Sequence, residues 1–383
     1  MGTTNEFDEI RPYHNEELAH VFEELIADED FRKMTAMAMP EVPFETIAST
    51  MRQCKTVNEF QRTLCYGILH KIADTCSDGI SLDHSSLADK SKAYTYISNH
   101  RDIILDSGFL SILLVDQGMD TVEIAIGDNL LIYPWIKKLV RINKSVIVQR
   151  SLGMRQILES SQRLSKYIHY AINEKKQSLW IAQREGRAKD SNDRTQDSLL
   201  KMLAMGGEGT VTERLKDLHI APLSISYEYD PCDYLKAKEF QLKRDNPNFK
   251  KSQADDLLNM GTGLKGYKGR VHFCTGQLLD NMLEQIDQSA SKQEQYTQIS
   301  TLIDREIHRN YRLYPGNYIA ADMLAQNSHY ANQYNDNEKK RFVEYLEQQL
   351  AKIELPHKDE TFLRNKMLAM YANPLLNHLA SLS

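Results

Sequence analysis

One histidine and two aspartates lie close together in the segment ISNHRDIILDSGF, residues 97–109. The preceding run AYTYIS favours a strand, and the residues that follow favour the start of a helix. Asp102 comes two positions after His100, and Asp106 comes six positions after it. A carboxylate beside an imidazole is the smallest general-base unit that a protein can build. The alternative is that Asp102 only caps the helix and that His100 is a polar loop residue.

Basic residues mark two further predicted strand ends. Arg150 closes the apolar run SVIVQR, and the loop REGRAKDSNDRTQDS, residues 184–198, follows the run SLWIAQ. Guanidinium groups match the geometry of phosphate and carboxylate groups, so these arginines suit an anion site. Three aspartates offset the charge of the loop, which leaves a solvated, salt-balanced loop as the alternative. If the three strand ends meet in one crevice, they place a base on one side and an anion clamp on the other.

The chain shows three regions of different pattern. Residues 1–80 and 286–383 have the apolar spacing of amphipathic helices. Residues 81–285 alternate short β-rich runs with helical runs, which predicts an α/β fold with a mixed, mostly parallel sheet flanked by helices. We therefore expect an α/β domain with helical N- and C-terminal additions. The predicted strands are AYTYIS, TVEIAIG, SVIVQ, SLWIAQ, APLSISYEY and GRVHFCTG.

The composition narrows the classes of function. The formal net charge of −6 argues against a nucleic-acid-binding protein, which normally has a basic excess. The five cysteines form no C-x-x-C pair, which favours free thiols in a reducing compartment. The polar N-terminal segment has no signal-peptide pattern, and no apolar run approaches the roughly 18 residues of a membrane span. We therefore expect a cytoplasmic protein whose membrane contact is peripheral.

One stretch is a candidate for that contact. The segment PWIKKLVRINK, residues 134–144, is aromatic and basic, which suits the surface of an anionic lipid layer. An ordinary amphipathic helix that packs onto the protein explains the same pattern equally well.

Four segments resemble, in order and spacing, the motifs of the phospholipid/glycerol acyltransferase family, whose members acylate glycerol phosphate and lysophosphatidic acid. SNHRDIILD resembles the first motif, an Asn-His pair followed by an Asp, and SVIVQR resembles the second, an apolar strand that ends in an acceptor-binding arginine. WIAQREGRAKD resembles the third, the Phe-Pro-Glu-Gly-Thr-Arg pattern, and IAPLSIS resembles the fourth. The opening FDEIRPYHNEEL is similar to the start of a soluble-looking subgroup with extra helices. The resemblance covers roughly residues 90–280 and implies the glycerolipid acyltransferase fold.

The first motif departs from the family spacing. The family has four residues between His and Asp, which would place the acid at Leu105, whereas Asp106 lies one position later. An added residue at the helix start can still bring Asp106 under the imidazole. We therefore expect Asp106, rather than Asp102, to orient His100.

The third motif departs from the family as well. The family arginine, three residues after the glutamate, falls on Ala188. Its anion-binding role would then pass to a flanking basic residue, Arg187 or Lys189. The substrate-binding set that the resemblance implies is Arg150, Glu185, Gly186, Arg187 and Lys189.

The resemblance implies transfer of a fatty acyl group from acyl-CoA or acyl carrier protein to a hydroxyl of a lysophosphatidic-acid-like acceptor. His100 would be the general base, and the basic side chains would hold the acceptor phosphate. No metal and no bound cofactor is expected besides the thioester co-substrate. The expected partners are the thioester donor, the lysophospholipid-like acceptor and the inner face of the membrane, with no nucleic acid.

Three alternatives remain open. The first is an O-acyltransferase of ornithine- or glycine-linked lyso-lipids, whose acceptor carboxylate would suit the altered third motif. The second is a non-catalytic protein that binds lipid or acyl thioester, in keeping with the shifted His–Asp spacing. The third is a metal hydrolase that uses His100, Asp102 and Asp106, although no second histidine cluster is present to complete its site.

Overall fold

The computed structural model describes residues 4–150 and 153–383. The helices in this part of the chain are α1 (Thr4–Phe7), α2 (Leu18–Ala27), α3 (Glu29–Ala38), α4 (Phe44–Gln53), α5 (Val57–Phe60), α6 (Tyr66–Cys76), α7 (Leu105–Asp116), α8 (Pro134–Ile142), α9 (Met154–Asn173), α10 (Asp197–Leu203), α11 (Val211–Lys216), α12 (Asp233–Asp245), α13 (Gln253–Lys265), α14 (Lys292–Arg309), α15 (Pro315–Ala325), α16 (Asp336–Ala351) and α17 (Glu360–Ser381). The strands are β1 (Ile80–Asp83), β2 (Thr95–Ser98), β3 (Glu123–Gly127), β4 (Ser145–Val148), β5 (Leu179–Ala182), β6 (Ile220–Tyr227) and β7 (Val271–Thr275).

The strands form one sheet in the order β1-β7-β6-β2-β5-β3-β4. Strands β2 to β6 run parallel to one another, β7 is antiparallel to β6, and β1 is parallel to β7. Helices cover the sheet, and helical segments precede and follow it. The predicted α/β fold with a mixed, mostly parallel sheet is confirmed. The carboxyl ends of the parallel strands all lie at one edge, where the three chemistry-bearing segments of the sequence also end.

The sequence did not predict β1, because helices were expected up to residue 80. Ile80 and Leu82 are half-buried, whereas Ser81 and Asp83 are exposed, as suits an edge strand that packs on one face only. Four residues with two apolar side chains give too short a pattern to distinguish a strand from a loop. The other six strands coincide with the six predicted runs.

Each face of the sheet has its own apolar core. Along a strand, successive side chains point to opposite faces. Tyr96 and Trp180 pack on the side of α6 and α7, whereas Ile97 and Ile181 pack on the side of α9 and α14. The strands are therefore apolar on both faces, as a sheet enclosed by helices requires.

Parts of both terminal regions complete the second of these cores. Phe7 and Ile10 near the N-terminus, and Ile303 and Ile307 of α14, belong to the same cluster as Ile97. Helices α2 to α5, and helices α15 to α17, contribute most of two further clusters. The division of the chain into three domains, with boundaries at residues 80 and 285, stays a prediction.

The amphipathic stretch at residues 134–144 forms α8, which has a partner within the protein. Trp135 and Leu139 pack with the buried Ile142 onto the N-terminal cluster, and the Trp135 ring lies 6.1 Å from the Phe31 ring. The interpretation as an ordinary packed helix therefore accounts for this segment. Among the residues that the structure describes, no helix is both long enough and apolar enough to cross a bilayer.

Candidate active site

His100 and Asp106 form a buried hydrogen-bonded pair at the edge of the sheet. His100 lies two residues beyond the end of β2, and Asp106 is the second residue of α7. The Nδ1 atom of His100 donates to Oδ2 of Asp106 at 2.7 Å. The carboxylate is fully buried, whereas the imidazole keeps 13 % of its side-chain surface exposed. The arrangement fixes the ring through one nitrogen and leaves the other, Nε2, for a substrate.

The backbone of the turn also holds the Asp106 carboxylate. Its Oδ2 atom accepts from the amide N–H groups of Arg101 at 2.6 Å and of Asp102 at 3.1 Å. The added residue of the first motif is therefore absorbed in the turn before α7, which wraps around the carboxylate. Oδ1 of Asp106 and the Tyr227 hydroxyl are buried without a hydrogen-bond partner among the described residues. Burial, and then the charge of Asp106, raises the pKa of Tyr227 well above its usual value, so this hydroxyl keeps its proton.

Asp102, also a catalytic candidate from the sequence, has a structural position instead. Its Oδ1 atom accepts from the amide N–H groups of Ile104 at 2.9 Å and Leu105 at 2.8 Å, which caps α7. It makes no hydrogen bond to His100. Burial, and then the charge of Asp106, raises the pKa of Asp102. The expected contact between His100 and Asp106 is present. A catalytic role for Asp102 stays a prediction.

Two basic candidates are engaged in ion pairs with nearby acids. Arg150 donates to the Glu185 carboxylate at 3.2 Å, so the two predicted substrate-binding residues face each other across the loop. Lys189 pairs with Glu239 of α12, which also binds Lys243 at 3.0 Å. The charges of Arg150 and Lys189 are therefore partly neutralised by these carboxylates.

Gly186 and Arg187 have the more distinctive geometry in this loop. Gly186 has a φ of +66°, in the left-handed region that favours glycine, and so allows the loop to turn. Arg187 donates through Nη2 to Asn259 of α13 at 2.9 Å, while its buried Nη1 has no partner among the described residues. Burial opposes the charge of this guanidinium, but Cys232 and then Asp230 raise its pKa, so it remains charged. The buried Ala188 occupies the place of the family arginine.

Two comparisons with known proteins found a similarity, one to a protein family and one to a solved structure. A family model described as Acyltransferase matches residues 81–226, which include His100, Asp106, Arg150 and the loop after β5. Residues 81–226 therefore match the acyltransferase family, and we call this matched segment the acyltransferase domain. A solved structure, the 1-acyl-sn-glycerophosphate (LPA) acyltransferase PlsC from Thermotoga maritima, is 12 % identical and covers 76 % of this chain and 94 % of its own, with a TM-score of 0.36. No curated protein matches the chain.

Inside the acyltransferase domain, Trp180 shields the imidazole, a contact that the sequence did not indicate. The ring of Trp180 lies edge-on to the His100 ring at 5.5 Å between centroids. Its indole N–H donates to Oγ of Ser98 at 2.9 Å, which fixes its orientation. In the sequence, Trp180 is recognisable only as a residue of the predicted strand SLWIAQ. The structure pairs this strand with β2 and places Trp180 beside Tyr96.

Arg101 of the acyltransferase domain connects the base to the loop after β5. Its guanidinium donates to both carboxylate oxygens of Asp193, and both side chains are buried. Asp193 also accepts from the Tyr311 hydroxyl at 2.6 Å through Oδ2, and its carbonyl oxygen lies 2.9 Å from Nε2 of His308. Burial opposes the charge of Arg101, but the Asp193 carboxylate more than offsets this and raises its pKa.

The C-terminal helices hold the same loop at further points. Arg194 donates to Asn377 of α17 at 3.2 Å, and the amide and hydroxyl of Thr195 donate to Asp304 of α14 at 2.8 and 2.7 Å. These helices lie outside the acyltransferase domain, yet they fix the loop that carries its basic residues. This could not be predicted from the sequence, since hydrogen bonds between distant residues leave no periodic pattern.

Gln183 and Arg184 are two further residues that the sequence reasoning missed. Both amide atoms of the fully buried Gln183 and the Nε atom of Arg184 lack partners among the described residues. Buried polar atoms are almost always hydrogen-bonded, so such groups mark places where water or a ligand belongs. Arg184 lies two residues beyond Ala182 of β5, and His100 lies two residues beyond Ser98 of β2. Ser98 and Ala182 are partners in the parallel register, so Arg184 and His100 follow neighbouring strands at equivalent positions.

Helix α13 lies over this edge of the acyltransferase domain. A Cβ atom on Gly263 would lie 2.0 Å from Oδ2 of Asp102, so α13 approaches the capping residue as closely as glycine permits. Asn259, one turn earlier, binds Arg187. Within residues 4–150 and 153–383, no group of three or more His, Cys, Asp or Glu side chains is arranged to hold a metal ion.

Proposed function

We propose that the chain is an O-acyltransferase that moves a fatty acyl group from acyl-CoA or acyl carrier protein to a hydroxyl of a lysophosphatidic-acid-like glycerolipid. The observation that carries the proposal is the contact between His100 Nδ1 and Asp106 Oδ2, at 2.7 Å, within the segment that matches the acyltransferase family. A buried carboxylate that orients an accessible imidazole is the arrangement that general-base catalysis needs.

His100 acts on the acceptor hydroxyl in this proposal. Its Nε2 atom takes the hydroxyl proton as the acceptor oxygen attacks the thioester carbonyl carbon. When the tetrahedral intermediate collapses, the C–S bond breaks, the C–O ester bond remains, and the proton leaves with the thiol. Asp106 keeps the Nδ1–H tautomer and stabilises the imidazolium between these steps. The nucleophile is the oxygen of the substrate, so no covalent acyl-enzyme and no bound cofactor is needed.

Arg187 is the best supported contact for the acceptor phosphate. It combines a buried charge with a buried N–H group that has no partner among the described residues, whereas Lys189 and Arg150 are engaged by Glu239 and Glu185. A guanidinium group binds phosphate with good geometry, and its burial strengthens the interaction. The same group also suits a carboxylate, so an acceptor that carries an amino-acid headgroup is the second candidate.

The site of action follows from the acceptor. Lysophospholipids and their products reside in membranes, so we propose that the protein works at the inner face of the membrane, from the cytoplasm. In this proposal, the thioester donor and the lipid acceptor are its only small-molecule partners.

A turnover assay tests the proposal. The purified protein is incubated with palmitoyl-CoA or with palmitoyl acyl carrier protein, and with lysophosphatidic acid or a lyso-ornithine lipid, and release of free thiol is measured. We expect turnover that His100→Ala abolishes, with the preferred acceptor deciding between the two headgroups. Binding of the thioester without turnover of either acceptor would instead support a non-catalytic binding protein.

A further inference from the structure

Helix α13 has one face on the candidate site and the opposite face unpartnered. Asn259 and Gly263 face the site, as their contacts with Arg187 and Asp102 show. One half-turn away around the helix lies a set of exposed small and apolar residues, of which Leu257 and Leu258 are 41 % and 52 % exposed. We call this set the outer face of α13; it consists of Ala254, Leu257, Leu258 and Gly261.

The outer face of α13 lies in a basic part of an acidic chain. Residues 250–270 contain five basic and two acidic side chains, a net charge of +3, whereas the whole chain has −6. Lys250 precedes the helix and Lys265 is its last residue; both are exposed and form no ion pair with any described residue. The two acidic residues are already engaged, Asp255 by Ser252 and Asp256 by Lys251. Free positive charge therefore borders the apolar residues.

A second exposed apolar pair lies near the start of α9, the helix that follows Arg150. Ile157 and Leu158, in the first turns of α9, are 41 % and 59 % exposed. Helix α9 follows β4, and Arg150 at the end of β4 binds Glu185 of the loop. Helix α13 contacts the same loop through Asn259, so both exposed apolar pairs lie on helices that adjoin the loop that carries Arg187.

We propose that the outer face of α13, together with the first turns of α9, docks on a bilayer surface that contains anionic phospholipid. Exposed leucines between free lysines are the pattern of a segment that lies in the membrane interface: the apolar side chains enter the acyl boundary and the lysines contact lipid phosphates. Docking in this way holds the site against the surface where its substrates reside. The inference rests on the proposed function in so far as the acceptor is a membrane lipid.

Vesicle binding tests the docking surface without the need for turnover. The full-length protein is sedimented with vesicles of phosphatidylcholine alone or mixed with phosphatidylglycerol. We expect binding to the mixed vesicles, and a loss of roughly tenfold or more in the partition coefficient for Leu257→Asp/Leu258→Asp, since each change removes an apolar side chain from the interface. The matched control is Leu376→Asp/Leu379→Asp on α17, at 50 % and 42 % exposure, which we expect to bind as the wild type does.

A charge variant and a monomeric assay complete the test. Lys250→Gln/Lys265→Gln, at two exposed positions, should reduce binding to mixed vesicles roughly tenfold or more and leave binding to pure phosphatidylcholine unchanged. The proposal is overturned if Leu257→Asp/Leu258→Asp and Leu376→Asp/Leu379→Asp bind the mixed vesicles equally well. It is also overturned if the wild type binds an acidic carrier protein but not the mixed vesicles. Turnover of monomeric short-chain substrates separates the docking proposal from the proposed function. If the wild type turns these substrates over but does not bind vesicles, only the docking proposal is contradicted. If the wild type binds vesicles but shows no turnover, only the proposed function is contradicted.

Discussion

Arg101 donates to both carboxylate oxygens of Asp193, at 3.0 and 2.6 Å, across 92 positions of the sequence. This buried pair joins the turn that carries His100 to the loop that carries the basic residues. Because Asp193 also binds Tyr311 and His308, the pair connects the acyltransferase domain to the C-terminal helices. A contact between Arg101 of the first motif and Asp193, which lies beyond the third motif, thus helps to set the distance between the proposed base and the proposed anion-binding residues.

Asp193→Ala should destabilise the protein strongly. It leaves the buried guanidinium of Arg101 without its counter-charge, and removal of one partner of a buried pair costs about 3–5 kcal/mol. Urea unfolding measures this loss. The control is Glu23→Ala, which removes the partner of Arg52 from a two-bonded but exposed pair, and we expect no measurable change because such pairs contribute little. Similar small losses in both variants would show that the buried pair has no special weight.

Asp106→Asn should separate the roles of the two aspartates. The variant keeps the size of the side chain but loses the charge that stabilises the imidazolium, so we expect kcat to fall by on the order of 10²–10⁴. Asp102→Asn retains an oxygen that caps α7, and we expect a far smaller loss of kcat. Steady-state kinetics of the two variants, with circular dichroism to show that both are folded, make the comparison. A larger loss in the Asp102 variant would reverse the assignment.

The sequence was sufficient for the architecture and for the contact between His100 and Asp106. The architecture follows from a local signal, the alternation of strands with helices, whereas the choice of Asp106 over Asp102 followed from the resemblance to the acyltransferase motifs. It was not sufficient for β1, an edge strand with only two apolar residues. Nor did it choose between Arg187 and Lys189. The choice depends on their partners Asn259 and Glu239, which lie 72 and 50 positions away along the chain.

Distant polar contacts account for most of what the sequence could not give. The hydrogen bonds between Arg101 and Asp193 join segments that are far apart in the chain, and so does the packing of α13 against Asp102. Asp193 was noted in the sequence only as a charge that offsets the loop. Asp193 holds the site together through its contacts in the fold, and these contacts cannot be read from the local sequence pattern.

Arg187→Gln should weaken acceptor use much more than Lys189→Gln. Loss of a charge-assisted hydrogen bond costs about 1.5–3 kcal/mol, which corresponds to roughly 10- to 150-fold in kcat/KM for a phosphate-bearing acceptor. Lys189 is already committed to Glu239, so its removal should change kcat/KM only slightly. Kinetics at varied lysophosphatidic acid concentration measure both. If Lys189→Gln has the greater effect, the phosphate lies on the α12 side of the loop.

Gly263→Ala and Gly261→Ala form a pair that tests the cover over the site. A methyl group at 263 would lie 2.0 Å from Asp102, so α13 or the cap must move, and overpacking of this kind costs about 1–3 kcal/mol. Because Asp102 caps the helix that carries Asp106, we also expect lower turnover. At the exposed Gly261 a methyl group meets nothing within 4 Å, and alanine should stabilise the helix by about 0.5–1 kcal/mol. Thermal unfolding and turnover of both variants give the answer, and equal behaviour would exclude close contact between α13 and Asp102.

Asp233 should make the stability of the protein depend on pH near neutrality. This fully buried carboxyl accepts from the Tyr371 and Tyr345 hydroxyls at 2.7 and 3.0 Å and from Gln349 at 2.7 Å. Burial, and then the charge of Asp230, raises its pKa from 3.8 to about 7. The folded state therefore holds a proton that the unfolded chain releases above its own, lower pKa. The contribution is fully present below about pH 4 and is lost as the pH rises towards 7, by up to roughly 1.4 kcal/mol per pH unit.

Asp233→Asn should remove this slope. The free energy of unfolding, measured with urea between pH 5 and pH 8, should fall less steeply with pH in the variant than in the wild type up to about pH 7, and in parallel above it. The control is Asp359→Asn. There, the amide of Phe362 and then Arg244 lower the pKa of the exposed carboxyl, so it titrates below this range and the difference from the wild type should be constant. A constant difference for Asp233→Asn as well would mean that its carboxyl is ionised in the folded protein throughout.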